Sequence, residues 1–202
     1  MDKGTRALGM ILAVTAAFIV IAVSWAVITD VERYDPDRDP DNNPNAVYIG
    51  QYIAYEMSGT AAGISSLNGT IRLDVTGATP SYVTCRYDYR INVLFIPAAS
   101  GSGSFDADPD SDVLSFPMTH QGSERIYVNS VYGNRSSDVY DGTFDGVYVK
   151  IWMGNNGVIY KARISGNGAD IGEEYKDLGI FDITLTLTNM KGTDLFGFLN
   201  LL

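Results

Sequence analysis

Apolar and polar side chains alternate along most of the chain from residue 47 onward. The clearest example is SYVTCRYDYRINVLFI, residues 81–96. Because successive side chains of a β-strand point to opposite sides, this period of two places the apolar residues on one face. The apolar positions are Val83, Cys85, Tyr87, Tyr89, Ile91, Val93 and Phe95. Such a strand predicts an antiparallel sheet with one buried face and one solvated face.

Further segments show the same period, and turn residues separate them. They predict strands at 47–57, 69–76 and 180–190, and a β-hairpin at 145–164 with Asn156-Gly157 in or next to its turn. Loops are predicted at 98–112, which is rich in Gly and Ser, and at 165–177. We therefore expect a mainly β domain over residues 46–202, built as one curved antiparallel sheet (a half-barrel) or as a β-sandwich.

The N-terminal region contains a long apolar run at residues 7–29 without a charged side chain. A helix of this length rises about 34 Å, enough to cross a hydrocarbon core of about 30 Å. Lys3 and Arg6 precede the run, whereas Asp30 and Glu32 follow it. The positive-inside rule therefore predicts a single-pass transmembrane helix with its N-terminus in the cytoplasm and the β domain outside the cell.

Three fates remain open for this segment. Ser24 and Ala26 are the small residues that a signal peptidase requires, so cleavage after Ala26 is one of them. The charged start with Lys3-Gly4 directly ahead of the run resembles the class III signal of archaeal pilins and archaellins. That resemblance implies cleavage after Gly4 and polymerisation through the apolar helix. An uncleaved anchor, with residues 1–6 left in the cytoplasm, is the fate that we favour.

Residues 30–45 follow the predicted membrane span and include the stretch YDPDRDPDNNPN at 34–45. Alternating aspartates can supply oxygen ligands for Ca²⁺, but the glycine that an EF-hand loop needs at its sixth position is Pro40 here. Proline and like charges both favour an extended chain. We interpret residues 30–45 as an acidic stalk between the membrane and the domain.

A second alternation of aspartates lies in the predicted loop at 98–112. Its members are Asp106, Asp108, Asp110 and Asp112. Because this loop closes within the domain, these carboxylates are candidates for a Ca²⁺ site. A solvated acidic turn is the interpretation that we favour, and no other cofactor is expected.

Composition excludes several classes of function. The formal net charge of −10 argues against nucleic-acid binding, which needs a basic surface. Cys85 is the single cysteine, so neither an intrachain disulfide nor a thiolate metal cluster can form. His120 is the single histidine, in a predicted loop, and no nucleophile motif or phosphate-binding loop accompanies it. We expect no enzymatic activity.

Candidate binding residues come from the aromatic side chains of the predicted hairpin. Tyr148, Trp152 and Tyr160 are expected either to line an apolar concavity or to pack across strands within the sheet. Asn68 and Asn134 each begin an Asn-X-Ser/Thr triplet in a predicted turn, so both are candidate N-glycosylation sites.

The segments GSERIYVNSVYG, VYVKIWMGNNGVIYKARI and ITLTLTNM lie within residues 122–190. Together they resemble the back half of the lipoprotein-carrier superfamily, and they are similar to small membrane-anchored archaeal proteins. In that superfamily a curved antiparallel sheet wraps helices or a lipid-sized cavity. The resemblance implies that the domain binds an apolar ligand or acyl chain rather than turning over a substrate.

The sequence as a whole therefore predicts a membrane-anchored, extracytoplasmic, non-enzymatic binding module for lipid or lipoprotein. Its expected partners are the bilayer, through residues 7–29, and a lipid or protein ligand. The alternative is a structural subunit of an archaeal pilus-like filament, a homo-oligomer assembled through the same apolar helix.

Overall fold

The computed structural model describes residues 50–61, 63–78, 83–94, 96–107, 118–144, 146–154, 158–173, 176 and 179–191. Their main architecture is a single antiparallel β-sheet of nine strands. The strands are β1 (Tyr52–Ala61), β2 (Ile64–Ala78), β3 (Val83–Val93), β4 (Ile96–Ala107), β5 (Thr119–Tyr127), β6 (Asn134–Phe144), β7 (Val147–Met153), β8 (Ile159–Asn167) and β9 (Ile180–Lys191). A helix of four residues, α1 (Gly168–Ile171), follows β8.

The strands lie in the order β4-β3-β2-β1-β9-β8-β7-β6-β5. Two meanders, β1 to β4 and β5 to β9, are joined side by side because the first and last strands pair with each other. Six of the eight strand pairs contain a register shift, and such bulges bend strands and increase their twist. The described strands therefore form one curved open sheet, as predicted, rather than the two packed sheets of a sandwich.

One face of the sheet is apolar and carries the core. Phe181, Ile183, Leu185 and Leu187 of β9 are all buried there, and polar residues alternate with them. Within the predicted strand at 81–96, Cys85 and Ile91 are buried and Tyr87, Tyr89 and Val93 pack against the core. The alternation in the sequence thus predicted the buried face correctly.

Glycine residues allow aromatic rings to cover the apolar face near the sheet edge. Tyr89 lies opposite Gly101 and Tyr87 lies opposite Gly103 in the β3–β4 pair. A Cβ atom at Gly101 would lie 2.8 Å from Tyr89 Cζ, and one at Gly103 would lie 2.7 Å from Tyr87 Cζ. The rings therefore lie directly over the two glycines and fill the space that side chains of β4 would otherwise occupy.

Several loop predictions were wrong. Residues 98–107 of the predicted loop at 98–112 lie in strand β4, because the tyrosines of β3 supply the apolar cover that glycine and serine lack. His120 lies on β5 rather than in a loop, and strand β8 extends to Asn167 before α1 begins. Within the predicted strand at 47–57, a turn at Gly50 with a φ of 96° precedes β1, which starts at Tyr52, and residues 47–49 lie outside the described residues.

Some predictions fall on residues that the structure does not describe. These are the transmembrane helix at 7–29, the stalk at 30–45, the turn residues Asn156-Gly157, and Phe95. Among the helices of the described ranges, none has the length and hydropathy to cross a membrane.

Candidate functional site

A groove of about 410 Å³, in the size range of small-molecule sites, is lined by polar-face side chains of the sheet together with the core residues Met57, Val128 and Leu187. Strands β1, β2, β3 and β9 form its floor, and the turn between β5 and β6 forms one wall. Its lining residues are Glu56, Met57, Ser58, Asn68, Gly69, Thr70, Asn92, Val128, Asn129, Thr186, Leu187 and Thr188. Hydroxyl and amide groups are the commonest functional groups of this lining.

Cross-strand register brings the polar side chains of the floor together. The central row is formed, in order across β8, β9, β1, β2 and β3, by Lys161, Thr186, Glu56, Thr70 and Arg90. A second row places Ser58 opposite Asn68 and Asn68 opposite Asn92. Side chains directly opposite each other in a sheet have Cβ atoms about 4.5–5.5 Å apart, so each row is continuous.

The wall of the groove is held in place by Asn129. Its Oδ1 accepts hydrogen bonds from the backbone N–H groups of Val131 at 2.8 Å and Tyr132 at 2.9 Å, which closes the turn. Its Nδ2 donates to the backbone oxygen of Leu187 at 2.6 Å. The backbone N–H of Met190 donates to the Tyr132 hydroxyl at 3.0 Å, so the turn is attached to β9 at two points. Burial raises the pKa of Tyr132.

Some polar groups of the groove already have partners, and others face the open space. Asn92 Nδ2 donates to Asn68 Oδ1 at 3.0 Å, and the Thr188 hydroxyl donates to the backbone oxygen of Ala54 at 3.0 Å. Glu56 and Thr70 are exposed. The arrangement offers hydrogen-bond donors and acceptors around one carboxylate.

The three predicted aromatic binding residues do not come together. Tyr160 packs in the apolar core, whereas Tyr148 and Trp152 lie on the polar face. The register explains this difference, because Trp152 lies opposite Lys161, the neighbour of Tyr160 in β8. None of the three contributes to the lining of the groove.

Trp152 is buried on the polar face by charged neighbours. Its indole N–H donates to the Glu124 carboxylate, and the Nζ atoms of Lys150 and Lys161 lie 4.6 and 5.3 Å from the ring centroid. Lys150 Nζ also lies 3.5 Å from Glu124 Oε1. Cation–π contacts and a charged hydrogen bond therefore hold the indole, which indicates a structural role for this residue.

The predicted calcium ligands are mostly outside the described residues. Asp106 lies at the end of β4 and accepts a hydrogen bond from the Thr84 hydroxyl at 2.7 Å, while Asp108, Asp110 and Asp112 are not described. Within the described ranges, no three side chains of His, Cys, Asp or Glu gather as a metal site would require. The calcium site remains a prediction.

The predicted glycosylation residues lie in strands rather than in turns. Asn68 is in β2, half-buried, and bonded to Asn92, whereas Asn134 is exposed at the start of β6. His120 is exposed, lies 3.7 Å from Asp138 and contacts the Tyr140 ring. Modification of either asparagine remains a prediction.

Sequence reasoning missed the groove. The alternation in the predicted strand at 180–190 places Thr186 and Thr188 opposite its apolar residues, but it does not predict the turn that converts part of that face into a concavity. The available signal was Asn129 followed by a turn, because an asparagine side chain readily bonds to backbone N–H groups two and three residues later. That turn bonds to β9, which lies almost sixty residues away in the sequence, so no pattern near Asn129 indicates the contact.

Comparison with solved structures gave remote likenesses, among them the two following proteins. A DUF1329 family protein from Desulfovibrio piger is 10% identical, with 85% of this chain and 92% of that chain covered and a TM-score of 0.27. A domain of an outer membrane lipoprotein-sorting protein from Vibrio parahaemolyticus is 11% identical, with 70% and 85% covered and a TM-score of 0.24. No protein-family model and no curated protein matches the chain.

Both TM-scores are below 0.5, so neither alignment supports a statement about the ligand. The archaeal and pilin-like resemblances of the N-terminus remain predictions.

Proposed function

We propose that this protein is a non-enzymatic binding module that takes its ligand in the groove on the polar face of the sheet. The observation that carries the proposal is the groove itself, a concavity of about 410 Å³ bounded by a turn that is bonded to β9. Ligand sites are commonly preformed concavities with a few fixed polar groups. Here strand pairing fixes the floor, and Asn129 fixes the wall.

The ligand of this groove is polar, or presents a polar part to it. Eight of the twelve lining residues carry a hydroxyl, amide or carboxylate group, while Met57, Val128, Leu187 and other apolar atoms contribute slightly more than half of the lining surface. If the ligand is a lipid or a lipoprotein, as the sequence predicts, its headgroup rather than its acyl chain occupies this groove. An acyl chain would leave the hydroxyl and amide groups without partners, which is energetically costly.

The setting that we propose is extracytoplasmic. Residues 7–29 serve as the membrane anchor and residues 30–45 as the stalk, on the grounds of apolar length and flanking charge. The pilus-like filament is the alternative, and it depends on the same apolar segment.

A substitution that fills the groove with a large side chain tests this proposal. The full chain is purified from its native membrane as wild type, as Thr70→Trp, and as Ser102→Trp, and the co-purifying small molecules are compared by mass spectrometry. Thr70 lies in the groove. Ser102 lies on β4, is exposed on the same face of the sheet as Thr70, and is outside the groove. We expect one compound to be lost from Thr70→Trp and retained in Ser102→Trp. Equal content in all three proteins would contradict the proposal.

A further inference from the structure

We infer that the groove recognises a primary ammonium group, held by Glu56, on a ligand that also carries hydroxyl or similar polar groups. This inference rests on the proposed function and adds the chemical class of the ligand. Glu56 is the only ionisable side chain in the lining of the groove. It lies in the middle of the floor, on the strand that joins the two meanders.

The Glu56 carboxylate is not neutralised by the domain. Within the described part of the chain it forms neither an ion pair nor a side-chain hydrogen bond. Two cations share its row, Lys161 and Arg90, each separated from it by one threonine. Strands lie about 4.8 Å apart, so each of these residues is anchored roughly 10 Å from Glu56.

Neither cation forms an ion pair with Glu56 within the described part of the chain. Lys161 Nζ lies over the Trp152 ring on the far side of β8, 5.3 Å from the ring centroid. Arg90 is exposed and forms no ion pair with another described residue. The sheet therefore presents a carboxylate without a counter-ion at the centre of a concave site. A positively charged group of a ligand is the complement that this geometry requires.

The neighbours of Glu56 define the rest of the ligand. Thr186 and Thr70 flank it on the two adjoining strands, and Ser58 follows it on the same strand and side. A hydroxyl group both donates and accepts hydrogen bonds, so these three side chains match hydroxyl groups on a ligand. The Thr188 hydroxyl is already bonded to Ala54 and is therefore a weaker candidate. An ammonium group beside hydroxyls occurs in amino sugars, and an ammonium group beside a phosphate ester occurs in lipid headgroups.

Titration of the full chain in detergent micelles tests the inference. The probes are glucosamine, glucose and glycerophosphoethanolamine, and binding is measured by ¹H–¹⁵N chemical-shift changes. Glucosamine and glucose differ mainly by the ammonium group, so their ratio of affinities isolates the role of charge. Glycerophosphoethanolamine distinguishes a headgroup from a sugar as the source of the ammonium.

We expect at least one ammonium probe to bind about tenfold more tightly than glucose, as for one charged hydrogen bond. Glu56→Gln should abolish that preference, whereas Glu173→Gln, which removes another exposed carboxylate, should keep it. Thermal melts of both variants establish that they fold. Equal binding of glucose and both ammonium probes, or binding by none, would overturn the inference. The test with Thr70→Trp judges the proposed function separately, because it uses the native ligand.

Discussion

At the scale of single residues, glycine permits close approach between strands of this sheet. Gly59 lies at the register shift of the β1–β2 pair and next to β9. A Cβ atom there would collide with the backbone oxygen of Asp182 and lie 2.9 Å from Ile183 Cα. Because both contacts are with backbone atoms, a side chain at this position would push the two central strands apart.

Gly59→Ala should therefore lower the free energy of unfolding by about 1–3 kcal/mol, the usual cost of overpacking. Urea denaturation measures this change. Gly77→Ala is the control, because a Cβ there meets only the Thr84 side chain, at 3.2 Å. Equal stability of the two variants would show that β1 and β9 are not packed as described.

A substitution of Trp152 tests whether this residue has a structural role. Trp152→Phe removes the indole N–H that donates to Glu124 and weakens two cation–π contacts. We expect a loss of about 1–2 kcal/mol in urea denaturation, the size of one charged hydrogen bond. Tyr127→Phe, at an exposed aromatic residue, should change stability little. Unchanged stability with lost ligand binding in Trp152→Phe would instead make Trp152 a binding residue.

Cys85 makes stability depend on pH in the alkaline range. Burial, with Asp106 nearby, raises the pKa of the Cys85 thiol to about 11, above its ordinary value of 9.0. As the pH rises, the thiol therefore loses its proton at a lower pH in the unfolded chain than in the folded chain. The free energy of unfolding falls as the pH rises from about 9 to about 11. The contribution is roughly 2–3 kcal/mol, because one pKa unit corresponds to about 1.4 kcal/mol.

Cys85→Ala should thus be less stable than wild type at pH 8, with a difference that shrinks toward pH 11. Urea denaturation at several pH values measures it. Burial also raises the pKa of Tyr55, so both proteins should weaken above pH 10 and only their difference reports on Cys85. A difference that stays constant with pH would contradict the buried thiol.

At the scale of elements, the sequence predicts strands well where large apolar residues alternate with polar ones. Strand β9 and its buried face follow directly from the alternation of Phe181 to Leu187 with aspartate and threonines. Strand β4 does not, because Gly101 and Gly103 give no apolar signal and their cover comes from tyrosines of another strand. Strand β5 is mostly exposed, so its sequence shows no buried face either.

The separation of Tyr160 from Trp152 follows from the register of the hairpin, because a two-residue turn at Asn156-Gly157 would pair Trp152 with Lys161, as observed. Their relative faces depend on the register of β7 against β8, which shifts between Trp152 and Met153. A slip of one residue moves every side chain of a strand to the other face. The groove, by contrast, depends on a contact between Asn129 and Leu187, which no local pattern encodes.

Amide hydrogen exchange tests the order of the strands. β1 and β9 are paired on both sides at the centre of the sheet, whereas β4 and β5 are each paired on one side only. We expect amides of β1 and β9 to exchange slowest and those of β4 and β5 to include the fastest of the sheet. Slow exchange throughout β4 would indicate that another segment or molecule covers this edge.

At the scale of the whole molecule, the first and last strands along the chain bring its first and last described residues close together. Tyr52 of β1 pairs with Lys191 of β9, so residues before 50 and after 191 join the domain at the same end. The turn that forms the wall of the groove contacts Met190 at that end as well. The groove wall therefore lies at the end of the sheet where Tyr52 and Lys191 pair.

The measurement that tests the central proposal most directly is a ¹H–¹⁵N chemical-shift map of the labelled full chain mixed with an extract of its native cell envelope. The polar-face groove predicts shift changes concentrated at Glu56, Thr70, Asn129 and Thr186, with little change in β4, β5 or the core. Changes that cluster around the Tyr87 and Tyr89 rings instead would place the ligand on the apolar face and contradict the proposed site.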